Sequence, residues 1–276
     1  MSTQKFSQLD PASIRATRDA LHAYARVLGD TLKSARTKRK HWWHASLRPS
    51  LAGLTTGVIH GDVDVEIELN IRDSVFSVQA STGEQMREAL HGQPAAALVT
   101  QLSAFLRSAG ATEIREVSAP DDSFPGYEPA EASKLAQALG AVSGAMVSFR
   151  AGIREETSPI QVWPHHFDLS MIWLPGPKIP GQDPADEEHA DKQMNFGFVL
   201  GDEGIDEPYF YVTAYPLPDA LPSVELPSGT QWKSEGFSGA VLLYKDLIAT
   251  DDPAAYLQDL WSRLYAAGQA HLATND

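Results

Sequence analysis

The stretch from Val162 to Gly176 (Val-Trp-Pro-His-His-Phe-Asp-Leu-Ser-Met-Ile-Trp-Leu-Pro-Gly) concentrates side chains able to do chemistry. It holds two of the six tryptophans and two of the nine histidines, and it sets one carboxylate, Asp168, in an otherwise apolar run. From His166 onward the alternation reads as a strand. It puts His166, Asp168 and Ser170 on one side and Phe167, Leu169, Met171 and Trp173 on the other. Two apart on a strand, His166 and Asp168 share a face and can chelate a divalent metal together, whereas His165 points away. His44 is the natural third ligand if its segment lies alongside, and zinc sites want three or four such groups. The same pair can serve as the imidazole–carboxylate half of an acid–base or hydrolase-like site. No Gly-x-Ser-x-Gly elbow supplies a nucleophile, so Ser46, Tyr211 or Tyr215 would have to be recruited by the fold. The plainer alternative is that the two groups satisfy buried hydrogen bonds.

Aromatic residues point to a third use. Trp42, Trp43, Trp163, Trp173, Tyr209, Tyr211 and Tyr215 can line a cavity with His44, His166 and Asp168 as polar anchors, the composition of a small-molecule pocket. Large rings also dominate ordinary cores, so many of these serve packing alone. A basic run, Lys33, Arg36, Lys38, Arg39 and Lys40, precedes His41-Trp42-Trp43-His44. It either complements the negative end of a helix dipole or forms an anion-binding patch.

Composition removes several classes. The formal net charge of −14 argues against nucleic acid or an anionic membrane as partner. There is no cysteine, hence no disulfide, thiolate nucleophile or cysteine-held metal. Neither Gly-x-Gly-x-x-Gly nor a phosphate-cradling Gly-Lys-Ser/Thr occurs, which excludes nucleotide-dependent ATPase and dehydrogenase readings. No apolar run has the length to span a bilayer, and the polar stretch Met1 to Asp10 lacks a secretory signal, so a cytoplasmic protein is expected.

The elements that must position these residues follow from periodicity. Pro11 to about Lys38 reads as a helix with Ile14, Leu21, Tyr24, Val27, Leu28 and Leu32 on one face. Asp62 to Leu69 alternates as a strand, with Val63, Val65, Ile67 and Leu69 inward and four acids outward, and Ser74 to Ala80 returns as its hairpin partner. Pro94 to Ala109 is an amphipathic helix closed by Gly110. Ser118 to Glu128 reads as a linker, followed by a helix from Pro129 to about Arg154. Strands are expected at Asn195–Leu200, Tyr209–Tyr215 and Ala240–Tyr244, separated by irregular loops at Pro175–Lys192 and Pro216–Gly239, which are the expected contact surfaces if the chain is instead a structural or protein-interaction module. A last helix runs from Asp252-Pro253 to about His271. The expected fold is α+β: one domain of two similar helix–strands–helix halves, about 11–117 and 129–272, with antiparallel sheets covered by long helices. A local match of 42–47 with 164–169 suggests duplication.

Several of these motifs together resemble a family of bacterial proteins grouped as domain of unknown function 5996. They are His41-Trp42-Trp43-His44 with Gly53-Leu54-Thr55-Thr56-Gly57, Trp163 with Phe167-Asp168-Leu169, Tyr211 to Pro216, Leu242 to Asp246, and Asp252-Pro253. The resemblance spans nearly the whole chain and implies a single family-wide domain. It implies no reaction. The pair His165-His166 departs from the family pattern, in which small residues are common between the tryptophan and Phe-Asp-Leu.

Overall fold

Asp10 opens the first helix, α1 (Pro11–Ala35), by accepting a hydrogen bond from the Ser13 amide at 3.0 Å, and Pro11 takes the first turn, where its missing N–H costs nothing. Residues 6–115 and 117–274 are described in this computed structural model. The buried face of α1 carries Ile14, Leu21, Tyr24, Leu28 and Leu32. The helix stops short of the Lys38 expected from its periodicity: Arg36 is already extended, and Lys38, Arg39 and Lys40 lie beyond its end.

A short 3-10 segment (Lys40–Ala45) leads into β1 (Arg48–Pro49), β2 (Leu54–Thr55), β3 (Val65–Asn70), β4 (Val75–Ala80) and β5 (Gln85–Ala89). These pair antiparallel in chain order to make one sheet. Val65, Ile67 and Leu69 are buried as the alternation demands, while the strand starts at Val65 rather than Asp62. The acids on its other face are tied locally: Thr55 donates to Glu66 at 2.7 Å and Ser50 to Glu68 at 2.9 Å. Next comes α2 (Ala95–Ala109), closed by Gly110 in the left-handed region at φ 82°, a conformation that glycine adopts without a Cβ penalty.

The stretch 118–128 is not a free linker. The Phe124 amide donates to Gly92 at 2.7 Å, and the buried Tyr127 hydroxyl donates to Ser74 at 2.8 Å. The contacts of the chain instead cluster into two units that divide inside α3 (Pro129–Arg150): unit 1 is Met1–Ala141 with Gln161–Phe167, and unit 2 is Val142–Ile160 with Asp168–Asp276. After β6 (Glu156–Thr157) in unit 2, β7 (Gln161–Trp163) returns the chain to unit 1, and β8 (Asp168–Leu174) belongs to unit 2.

Unit 2 adds a short helix α4 (Glu187–Ala190), then β9 (Gln193–Val199), β10 (Tyr209–Tyr215), β11 (Thr230–Lys233) and β12 (Gly239–Leu243), then α5 (Tyr244–Ile248) and α6 (Pro253–Leu272). Its strands run in the order β11-β12-β10-β9-β8-β6, all antiparallel. The protein is thus α+β. One sheet face is hydrocarbon: Trp173, Phe196, Phe198 and Phe210 are fully buried, and Phe149 of α3 lies 5.0 Å from Phe196 and 5.5 Å from Trp261 of α6, ring to ring. β11 occupies part of what the sequence suggests is an irregular loop, because its side chains bury no apolar face.

A carboxylate helps hold α6. Tyr265 donates to Glu155 at 2.7 Å and Gln269 at 2.8 Å. The tyrosine bond, above all, lowers the Glu155 carboxyl from its ordinary 4.5 to about 2. A carboxyl more acidic in the folded state contributes stability that is complete above pH 4.5 and is lost as pH falls toward 2. Thermal unfolding across that window is therefore expected to show a shallower acid decline for Glu155→Gln than for the parent chain.

Candidate functional site

In unit 1 the two tryptophan–histidine segments lie side by side. Leu47 and Val162 exchange both backbone hydrogen bonds, at 3.0 and 2.9 Å, although 115 residues separate Ser46 from Gln161 beside them. The Ser46 hydroxyl donates to Gln161 Oε1 at 2.7 Å, and Arg48 Nη1 donates to Ser46 Oγ at 2.8 Å and to Gln161 Oε1 at 3.2 Å. A guanidinium has only donors, so the amide atom facing it must be the oxygen, which fixes the Gln161 amide with its nitrogen turned away. From the other flank, α1 closes on the same segment through Gly29, where a Cβ would stand 2.5 Å from Pro164 Cγ. His22 of α1 places Nε2 3.1 Å from the His165 carbonyl and stacks on Phe167, 5.5 Å between centroids.

Both segments bend through backbone that L-residues seldom adopt. His41 (φ 47°), Trp42 (φ 56°) and Phe167 (φ 56°) are left-handed without being glycine. Each such residue costs roughly 1–3 kcal/mol, so the surrounding packing must enforce it. The bends decide what is presented. Trp42 is 43% exposed and stacks on His44 at 5.5 Å, with Lys38 Nζ 5.1 Å from its ring, while Lys40 Nζ sits 5.0 Å from the Trp43 ring. His44 is buried, and its Nδ1 accepts from the Arg39 amide at 3.2 Å, which leaves the neutral ring's proton on Nε2. His165 and His166 are exposed, 4.3 Å apart, with Trp163 6.2 Å from His165.

Positive charge accumulates here. The His44 imidazole is shifted down by burial, then by Lys38, Lys33 and Arg36. His165 falls from 6.5 to about 4 through desolvation, then through His166, Lys33, His22 and Arg26. Arg48 is shifted down by burial and by Arg36.

Unit 2 carries the rest of the residues singled out from sequence. Asp168, at the start of β8, is buried and accepts from the Tyr211 hydroxyl at 2.5 Å. Burial, then the charge of Asp168, pushes the Tyr211 phenol well up. The Tyr211 ring lies flat over Gly197: a Cβ there would come within 2.2 Å of Cζ. Tyr215 ends β10, 38% exposed, with its ring 6.1 Å from that of His189.

The sequence-derived set therefore falls into two groups. Trp42, Trp43, His44, Trp163 and His166 belong to unit 1, and Asp168, Tyr211 and Tyr215 to unit 2. His166 and Asp168 do not share a strand face. The Phe167 amide bonds back to the Trp163 carbonyl at 2.7 Å, closing a turn that leaves His166 exposed, and β8 begins only at Asp168. Among the described residues no group of three or more His, Asp or Glu side chains stands close enough to hold a metal ion, so the chelate of His44, His166 and Asp168 is not formed. Sequence reading missed Ser46, Arg48 and Gln161 as a unit. The one signal was a glutamine set between Ile160 and Val162 in an otherwise apolar strand.

A family described as being of unknown function, DUF5996, matches residues 6–276. The chain belongs to that family. No curated protein and no solved structure matches it. In this DUF5996 member the motifs that carry the resemblance sit where the backbone is most constrained. His41 to His44 lies in the 3-10 segment, whose residues His41 and Trp42 are left-handed. Gly53 lies where a Cβ would meet the Leu69 carbonyl oxygen at 2.1 Å, and Asp252-Pro253 caps α6, its carboxylate accepting from the Ala255 amide at 3.0 Å. No helix among the described residues is long and apolar enough to cross a membrane.

Proposed function

We propose that the paired segments of unit 1, with Trp42 and His166 exposed and Trp43, His44 and Trp163 beneath and beside them, bind a small molecule. The observation that carries this reading is the strain. Three left-handed non-glycine residues fall on two segments that the fold joins by backbone pairing, and they turn a large indole and two imidazoles toward solvent. Strained backbone of this kind clusters at ligand clamps, and the other left-handed non-glycine among the described residues, Ser74, lies in the turn between β3 and β4. The exposed indole offers apolar contact, and the imidazoles, arginines and the Gln161 amide offer directional polar contact, the mixture that small-molecule sites use. A cytoplasmic setting belongs to the same proposal, supported by the cysteine-free, acidic composition. So does an origin of the halves by duplication, supported by the helix–strands–helix order of each.

Native mass spectrometry of the protein purified from its source tests the reading. A small-molecule adduct is expected, and Trp42→Ala is expected to weaken its retention by about 3–10-fold, the worth of one aromatic contact. Trp42 is substantially exposed, so the variant should unfold at the parent temperature. An adduct retained equally by both proteins would place the ligand elsewhere.

A further inference from the structure

We propose that the molecule bound at the paired segments is an organic anion, recognised through a carboxylate or phosphate group. The inference rests on the ligand-site reading above and names the chemistry of its ligand.

The charge pattern comes first. In a chain of net charge −14, basic side chains converge in unit 1: Arg26 and Lys33 from α1, Arg36 and Lys38 just after it and Arg48 from β1 are cations, and the imidazoles of His44, His165 and His166 stand among them. Those acting on His44, on His165 and on Arg48 are all of like sign. Carboxylates stand beside the cluster as well: Asp30 is bonded to Lys33 at 3.0 Å, and Asp19 acts on His22 and bonds Arg18. A helix dipole accounts for Lys33 and Arg36 at the end of α1. It does not account for Arg48 or for the histidines of 165–166, which come from other elements. The bonds formed by Arg36 and Arg48 go to neutral oxygens, the Thr56 and Val58 carbonyls for one, Ser46 and Gln161 for the other. Guanidinium groups bind carboxylate and phosphate far more strongly than neutral acceptors.

The second observation is independent of charge. The Gln161 side chain is fully buried, its oxygen is committed to Ser46 and Arg48, and its Nε2 has no hydrogen-bond partner. Trp43 Nε1, whose backbone carbonyl is bonded by the same Ser46 hydroxyl, is also buried without a partner. Both are N–H donors. Buried polar groups are nearly always satisfied, and an acceptor bearing negative charge would satisfy these two N–H groups. The overall negative charge disfavours a polyanion such as nucleic acid, which leaves a small acid whose body rests on the exposed indole of Trp42.

Four ring compounds of similar size test this: benzoate, phenyl phosphate, benzyl alcohol and benzylamine, titrated into the full chain and followed by tryptophan fluorescence and by imidazole NMR signals. Saturable binding is expected from the two acids, weakening as salt rises. With acid bound, His44 and His165 are expected to titrate at higher pH, because a nearby anion favours imidazolium. Lys33→Gln, an exposed change, is expected to weaken benzoate at least about threefold at unchanged melting temperature, and Arg48→Gln at least about tenfold. Benzyl alcohol or benzylamine binding as tightly as the acids would overturn the anion assignment while keeping the ligand site. Silence from all four overturns the assignment, and the ligand-site reading falls with it only if the native mass spectrum also shows no adduct.

Discussion

Gly197→Ala is expected to lower the unfolding free energy of unit 2 by about 2–4 kcal/mol, well beyond the cost of one methyl group in a loose site. Gly197 sits mid-way along β9, opposite Ser170 of β8 and Tyr211 of β10. Its added Cβ would stand 2.2 Å from Tyr211 Cζ and 2.5 Å from the hydroxyl oxygen, and a phenol ring wedged on a sheet cannot yield that much in place. Once the ring swings away, the 2.5 Å bond to Asp168 is broken and a buried carboxylate loses a donor. Tyr211→Phe separates the two contributions. It removes the hydroxyl without the clash and is expected to cost about 1–3 kcal/mol, the penalty for an acceptor left short of a partner. Combining Gly197→Ala with Tyr211→Ala should cost less than the two single changes added, since the ring that collides is then gone. Urea unfolding midpoints decide this, and a Gly197→Ala midpoint equal to the parent's would mean that the ring is free to move.

What could be read from sequence, and what could not, follows from where information about backbone shape is stored. α2 and α6 were legible because a repeating apolar face and a cap (Gly110 at one end, Asp252-Pro253 at the other) are local signals. β3 is legible from Val65, Ile67 and Leu69, although the alternation begins at Asp62, ahead of the strand itself. The common face of Tyr209, Tyr211, Thr213 and Tyr215 followed from period two, and the pairing register bears it out. The turn at 163–167 was not legible. The alternation of His166, Asp168 and Ser170 runs through it unbroken, and nothing in the composition announces that Phe167 is left-handed. The same holds for His41 and Trp42. β5 and β11 went unseen because their side chains bury no continuous apolar face. The Ser46–Arg48–Gln161 cluster required a pairing between segments more than a hundred residues apart, which no single-sequence pattern encodes. The residue types of the site were visible, but their grouping depended on register and on strained turns.

Gly29→Ala puts the architecture of that site to a test in which two physical effects oppose each other. Gly29 lies well inside α1, where alanine is favoured over glycine by about 1 kcal/mol from propensity alone. Here the sign is expected to reverse. The new Cβ would meet Pro164 Cγ at 2.5 Å and Cβ at 2.7 Å, with the Ala45 carbonyl oxygen behind at 3.5 Å, and a proline ring has no rotamer by which to withdraw. Overpacking of this kind costs about 1–3 kcal/mol net, so the variant should melt lower than the parent despite its better helix former. The displaced part is the 161–167 segment, so the loss should extend to binding. As Pro164 moves off α1, the contacts of His22 with the His165 carbonyl and the Phe167 ring loosen, and with them the turn that presents His165 and His166. Benzoate affinity is therefore expected to fall in Gly29→Ala although no group that touches the ligand has changed. Pro164→Gly in the same chain removes the colliding ring and should recover part of the lost stability. A Gly29→Ala protein that is more stable than the parent would show that α1 does not press on the segment, and the enforced strain on which the site depends would lose its source.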